Sequence, residues 1–189
     1  MALVLAGCAT EKSATPAPSP TPIASLDTAA MQIPRIEFCR LVPRAAVTDA
    51  LGGKAVSGAA YGNGDEVVLP GVGTDVVHEI GCSWTGTGES SARAWVFARP
   101  VSRGFAQDVV SSSTKAKGCR VVAGAPYGEP SMLQVCTLRT GHVRIRHAGL
   151  FGQTWLTCEI SASGVVQADL LTRTDRWCVK VANALDTAG

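Results

Sequence analysis

The chain has 189 residues, of which 17 are Lys or Arg and 15 are Asp or Glu, so its formal net charge is +2. So small a positive excess excludes nucleic-acid binding driven by bulk charge. After residue 8, no apolar run approaches the roughly 18 residues that a membrane-spanning helix needs. We therefore expect no nucleic-acid partner and no membrane anchor other than a lipid.

The first residues contain a lipid-attachment motif. An apolar run ends in Leu5-Ala6-Gly7-Cys8, the aliphatic-small-small-cysteine pattern of a bacterial lipobox. We expect residues 1–7 to be the remnant of a signal peptide, truncated by a start placed too far downstream, and Cys8 to carry a palmitate-type diacylglycerol. The alternative is a chance match, because a normal leader has an apolar run of about 7 to 15 residues. The lipobox predicts a lipoprotein on the extracytoplasmic face of the cell membrane.

Residues 8–36 are predicted to be a tether. Pro16, Pro18, Pro20 and Pro22 alternate with small residues, a composition that favours extended polyproline II over a packed core. Residues 37–189 have the length of one domain. We expect this domain to be a monomer that folds without a partner.

The predicted elements of the domain follow in chain order. A short helix after Cys39 has Pro43 near its first turn and ends at Gly52-Gly53. A Gly-rich loop at 57–65 precedes strands at 66–69, 76–84 and 92–99. A helix at 105–115, four further strands and a closing helix at 165–185 complete the chain. Because tight turns join most strands, we predict an α+β fold: a twisted, mostly antiparallel sheet of six or seven strands, partly covered by about three helices.

The seven cysteines support both the lipobox and an oxidising location. An odd count becomes even if Cys8 carries lipid, and three disulfides then account for the rest. The six remaining cysteines are Cys39, Cys82, Cys119, Cys136, Cys158 and Cys178. Six cysteines allow many pairings, so local patterns are needed to choose between them.

The patterns favour one set of disulfides. Cys119 and Cys136 are equidistant from the turn at Tyr127-Gly128, which makes them cross-strand neighbours in a hairpin. Cys158 shares a face of the last strand with Leu156 and Ile160, and we expect that face to pack against the helical stripe that contains Cys178. Cys39 pairs with Cys82 by elimination.

Several of these motifs occur together in a known group of proteins. The lipobox, the Pro/Thr/Ser tether, a Cys before a short helix ending Ala-Leu-Gly-Gly, a Gly-Cys-Ser-Trp strand and a Trp-Cys pair in the last helix resemble the uncharacterised cell-surface lipoproteins of actinobacteria, a family with a domain of unknown function. The resemblance implies a cell-envelope location and an α+β sandwich. It implies no reaction, because the shared motifs are structural.

The sequence contains no catalytic or cofactor motif. Cys82 lies in Gly-Cys-Ser-Trp, a faint match to papain-like proteases, but an extracellular cysteine is expected to be oxidised. Ser112-Ser113-Thr114-Lys115 fits Ser-x-x-Lys without the partner motifs of penicillin-binding proteins. The three histidines, His78, His142 and His147, lack zinc-site spacing, and the paired glycines at 62–64 and 71–73 lack a dinucleotide-binding context. We expect no metal and no cofactor.

Two classes of function remain open. The first is a non-enzymatic binding or accessory module for a wall polymer, a small apolar ligand or a partner protein. The second is an envelope hydrolase whose site no motif reveals.

One predicted strand carries a candidate binding surface. Alternation places His142, Arg144 and Arg146 on one face and Val143, Ile145 and His147 on the other, so a cationic stripe is exposed if the apolar residues face the core. Guanidinium groups bind phosphate bidentately, which suggests an anionic envelope component as partner. The alternative is a solvated face whose arginines pair with Glu159 on the next strand. In either case we expect replacement of Arg144 and Arg146 by Ala to leave folding almost unaffected.

Overall fold

The computed structural model describes residues 21–69, 71, 73–138 and 141–188. The expected lipidation site, Cys8, and most of the expected tether lie outside the described residues. No described helix has both the length and the apolar character needed to cross a membrane.

The described residues form three α-helices and nine β-strands. The helices are α1 (Arg44–Leu51), α2 (Arg103–Ser113) and α3 (Gln167–Asp186). The strands are β1 (Ala55–Tyr61), β2 (Glu66–Leu69), β3 (Gly73–Val76), β4 (Glu79–Gly86), β5 (Ser91–Phe97), β6 (Cys119–Val122), β7 (Ser131–Thr137), β8 (Val143–Phe151) and β9 (Thr154–Ala162).

Seven strands form one antiparallel sheet in the order β1-β4-β5-β9-β8-β7-β6. The strands β2 and β3 pair only with each other, and hydrogen bonds between Asp65 and Val77 and between Gly64 and Val77 link this hairpin to the β1–β4 pair. The hairpin is therefore an arm that continues β1 and β4 beyond the sheet. The predicted α+β class is confirmed.

The strand β1 differs from the sequence prediction, which placed a loop at 57–65. Its residues include the small run Ser57-Gly58-Ala59-Ala60, and all but the last residue of the strand are exposed. An edge strand of small, exposed residues shows no alternation of apolar and polar side chains. The pattern that identifies half-buried strands was therefore absent.

The helices cover the two faces of the sheet unequally. One face, with Ile145, Leu156 and Ile160, packs against α1 and α3 in the larger core. The other face is covered by α2 only near β6, β7 and β8, where Ala106 joins Trp155 in a smaller cluster. The middle of the second face, over β5, β9 and β8, carries polar side chains instead.

Three disulfides fasten the helices and strands together. Cys39 is bonded to Cys82, Cys119 to Cys136 and Cys158 to Cys178, the same pairs that the sequence patterns favoured. Cys119 and Cys136 are directly opposite each other in the β6–β7 ladder. Cys158 and Cys178 join β9 to α3, and Cys39 and Cys82 hold the segment before α1 against β4.

The folded domain begins earlier than the expected boundary at residues 36 and 37. Ile23, Met31 and Ile33 are buried in the larger core. The backbone N–H of Gln32 donates a hydrogen bond to the Asp186 carboxylate at the end of α3, at 2.7 Å. Isolated apolar residues among polar and small ones carry no periodicity, so the packing of this segment against the domain could not be predicted from its local pattern.

We predict that a chain beginning at residue 37 is less stable than one beginning at residue 21. Each buried aliphatic side chain contributes roughly 1.5–3 kcal/mol, so losing Ile23, Met31 and Ile33 lowers the free energy of unfolding by several kcal/mol. Urea denaturation of both chains measures the difference, with the full-length protein as the reference for the longer one. Equal stability of the two shortened chains would contradict this account of the N-terminal segment.

Candidate functional site

Three arginines and one glutamate lie together on the face of the sheet that α2 covers only in part, which we call the half-covered face. Glu159 on β9 is directly opposite Arg93 on β5 and Arg146 on β8. Arg144 lies two residues before Arg146 on the same face of β8, opposite Ser161. We call Arg93, Arg144, Arg146 and Glu159 the arginine face.

All three guanidinium groups are directed at the Glu159 carboxylate. Arg146 donates through Nε and Nη2 to Oε2, at 2.7 and 2.6 Å. Arg144 Nε lies 3.7 Å from Oε2, and Arg93 Nη1 lies 3.6 Å from Oε1. The Glu159 side chain is only 5% exposed, whereas the arginine side chains are 20–41% exposed. The carboxylate is therefore at the base of the cluster, and the arginine side chains remain partly exposed.

Neighbouring side chains fix the positions of the arginines. The guanidinium carbons of Arg93 and Arg146 each lie 5.1 Å from the centroid of the Trp95 ring. Cation–π contacts of this kind favour a cation over an indole ring. Arg144 Nη2 lies 3.3 Å from the sulfur of Cys136, so the Cys119–Cys136 disulfide borders the cluster.

The electrostatics of the cluster are unbalanced towards positive charge. Burial lowers the pKa of Arg144, and the nearby Arg146 and Arg93 lower it further against the opposing effect of Glu159. Burial also acts to lower the pKa of Arg93, but Glu159, Tyr61 and Glu79 together raise it. Of the three arginines, Arg144 is thus the one whose positive charge the neighbouring carboxylates neutralise least.

Two further titratable groups border the arginine face. Burial raises the pKa of Glu79, although Arg93 and Arg146 favour its ionised form. Burial likewise raises the pKa of Tyr61, against the effect of Arg93. Even with Glu79 ionised, three guanidinium groups face two carboxylates.

This arrangement is suited to holding an anion. Guanidinium N–H groups form strong, charge-assisted hydrogen bonds with phosphate and carboxylate oxygens. The buried Nε of Arg144 has no hydrogen-bond partner among the described residues. An anion placed over the exposed guanidinium groups would neutralise the excess charge without displacing Glu159.

The structure changes the predicted cationic stripe in two respects. His142 precedes β8, and its Nε2 lies 3.7 Å from the carboxylate of Glu89, so it belongs to a contact outside the arginine face. Arg93 belongs to the cluster, and the sequence analysis missed it. The local pattern that could have identified it is the sequence Ala92-Arg93-Ala94 in a strand, because alternation places the arginine on the face opposite the two alanines.

The burial of Glu159 argues against the expectation that Arg144 and Arg146 can be replaced with little effect on folding. Removing both would leave the buried carboxylate with Arg93, whose Nη1 lies 3.6 Å from Oε1, as its remaining guanidinium partner. The pairing with Glu159 that was considered as an alternative is present in the structure. The resulting cluster still has more guanidinium groups than carboxylates.

The other candidate residues make contacts within the fold. His147 is buried on the core face, as expected, and its Nε2 lies 2.7 Å from Oδ1 of Asp175 on α3. Cys82 is bonded to Cys39. Ser112 and Ser113 are the last two residues of α2, and their hydroxyls donate hydrogen bonds to the carbonyl of Val109. Across the described residues, no group of three or more His, Cys, Asp or Glu side chains is placed to hold a metal ion.

Comparison with known proteins finds a shared fold only. No protein-family model matches this chain, and no curated protein sequence matches it. Among solved structures, it is similar to the extracellular domain of PknH from Mycobacterium tuberculosis, with a TM-score of 0.55 and 12% sequence identity. The similarity covers 84% of this chain and 100% of that one. At this identity the likeness establishes the architecture and transfers no residue roles.

We predict that Arg146→Ala is far more destabilising than Arg103→Ala. Arg146 compensates a buried carboxylate, whose unpaired burial costs about 3 kcal/mol, whereas the Arg103–Glu129 pair is exposed and is worth about 0–1 kcal/mol. Urea denaturation of both variants measures the difference. Similar losses in the two variants would show that Glu159 does not depend on its guanidinium partners.

Proposed function

We propose that this protein is a lipid-anchored cell-envelope protein that acts as a non-enzymatic binding module. Its arginine face binds an anionic envelope component, through phosphate groups of a lipid head group or of a phosphate-bearing polymer. The observation that carries the proposal is that Arg93, Arg144 and Arg146 share one buried carboxylate and remain partly exposed.

Three observations support the envelope location. The lipobox ending in Cys8 predicts a lipid anchor. Three disulfides are typical of proteins that fold in an oxidising compartment. The similar fold of PknH is described as an extracellular domain. The resemblance to actinobacterial surface lipoproteins is consistent with all three.

A binding role agrees with the chemistry of the site. The arginine face offers hydrogen-bond donors and positive charge, and its acidic group, Glu159, is occupied by ion pairs. Guanidinium groups remain protonated at all physiological pH values and are therefore suited to binding rather than proton transfer. We therefore favour a binding module over a hydrolase.

We predict that the double variant Arg93→Gln/Arg144→Gln binds anionic vesicles at least about tenfold more weakly than the parent chain, because charge-assisted hydrogen bonds are among the stronger polar contacts. The probe is phosphatidylglycerol vesicles at low salt, with phosphatidylcholine vesicles as the neutral reference. Both chains carry Cys8→Ser so that no attached lipid contributes to binding. Inorganic phosphate is titrated separately to distinguish head-group binding from binding of phosphate alone.

The matched control is Arg103→Gln/Arg120→Gln, which removes the same charge from exposed positions outside the arginine face. We expect this control to weaken vesicle binding less than about twofold, since exposed charges act mainly through a screened field. Equal weakening by both double variants would mean that net charge alone governs binding. Absence of binding by the parent chain at low salt would refute the anion-binding role.

We also predict that the natural protein partitions with membranes through acylation of Cys8. Membrane fractionation at high salt, which screens binding through the arginine face, followed by intact-mass measurement tests this, with Cys8→Ser as the control that should move to the soluble fraction. Recovery of a soluble natural protein with a free Cys8 thiol would refute the lipid anchor and leave the arginine-face prediction unaffected.

A further inference from the structure

The strand β1 has a free edge that is regular from Ser57 onward, after a register irregularity between Ala55 and Ser57. It pairs with β4 on one side only, so alternate residues direct their N–H and C=O groups away from the sheet. Natural edge strands are commonly protected by charges, prolines or short length. The run from Ser57 to Ala60 has no charge, no proline and no large side chain. The opposite edge, β6, is only four residues long and is cross-linked to β7 by a disulfide.

Charged side chains lie at the two ends of β1. A groove of about 960 Å³ beside the first half of β1 is lined by Arg40, Arg44 and Lys54 and by no carboxylate. A second groove, of about 400 Å³ beside the last residues of the strand, is lined by Glu37 and Asp65. Both grooves include Cys39, so they follow the same side of the strand. In the described part of the chain, no carboxylate lies within ion-pair distance of the three cations.

Exposed apolar side chains accompany both ends of the strand. Val56 is 70% exposed at the start of β1, and Val68 is 75% exposed on the arm that extends beyond its end. Val67 and Val76 on the same arm are also exposed. Of these residues, Val56 lies on the free edge itself, where a paired strand would cover its side chain.

We infer that β1 pairs antiparallel with β1 of a second copy of this chain, about a two-fold axis near Ala59. A two-fold interface uses the same surface on both subunits. Antiparallel pairing brings the start of each β1 opposite the end of the other, so the cationic end of each subunit meets the acidic end of its partner. The same operation places Val56 of each subunit opposite Gly62 of the other, at the end of the partner's β1. The two sheets then become one continuous sheet.

The charge arrangement is what favours a second copy over an unrelated peptide. A surface with cations at one end and acids at the other complements itself under two-fold rotation, whereas an unrelated strand would need the matching pattern. The inference replaces the expectation of a monomer and is independent of the arginine face. That face lies over β5, β9 and β8, and its three arginines are separated from β1 by β4.

The test exchanges charges across the proposed interface. The full chain with Cys8→Ser is studied by sedimentation over a micromolar to millimolar concentration series. We expect Arg44→Glu alone and Glu37→Arg alone each to weaken the dimer at least about tenfold, because each places like charges together at both ends of the interface. An equimolar mixture of the two variants should form a heterodimer with affinity within about threefold of the parent, because both of its ends are again complementary.

Two further measurements connect the dimer to β1. Amide hydrogen exchange of residues 57–61 should slow as the dimer forms, and Val56→Ser should weaken association without changing the thermal unfolding of the monomer. Circular dichroism confirms that each charge variant is folded. A parent chain that remains monomeric up to millimolar concentration would overturn the inference. A dimer that neither charge variant weakens, or one whose β1 amides exchange at the monomer rate, would also overturn it.

Discussion

The buried carboxylate of Glu159 requires positively charged neighbours on the face of the sheet that α2 covers only in part. It is on β9, the central strand, whose residues are buried along its whole length. A buried carboxylate is tolerated only when cations and hydrogen-bond donors compensate it. The neighbouring strands supply Arg93 and Arg146 directly opposite, and Arg144 completes the set. The position of Glu159 therefore determines where the positive charge of this face is concentrated.

The compensation exceeds what one carboxylate requires, and this excess of positive charge supports the proposed binding of an anion. A single well-placed arginine would satisfy Glu159, and Arg146 already makes two short contacts with it. Arg93 and Arg144 are farther away and partly exposed. Arg146 and Glu159, which are in close contact, form the base of the site. Arg93 and Arg144 lie farther from the carboxylate, so they have hydrogen-bond donors that could bind an anion. The Trp95 ring limits the motion of two of the three arginines, so little conformational entropy remains to be lost on binding.

Much of the fold followed from local patterns in the sequence. The hairpin around Tyr127-Gly128 fixed the register that places Cys119 opposite Cys136, and alternation in β8 correctly placed Ile145 and His147 in the core. The strand β1 was missed because its small, exposed residues carry no periodic signal. The packing of Ile23 against the core was missed because it depends on contacts with α3, which are distant in sequence.

The candidate site was predicted only in part, for a related reason. The alternation of charged residues identified Arg144 and Arg146, which lie on one strand. Arg93 belongs to the same cluster because β5 and β8 flank β9, and this strand order is not readable from local patterns. The burial of Glu159 also depends on that order, so the sequence suggested an exposed stripe where the structure has a half-buried network.

The most direct test of the anion-binding account is an NMR titration that follows the guanidinium Nε–H groups of the folded protein as inorganic phosphate is added at low salt. The account predicts saturable shifts of the Arg93 and Arg144 signals, with little change in Arg103, whose partner is an exposed glutamate. Uniform, unsaturable shifts of all arginine signals, or no shift of Arg93 and Arg144, would contradict it.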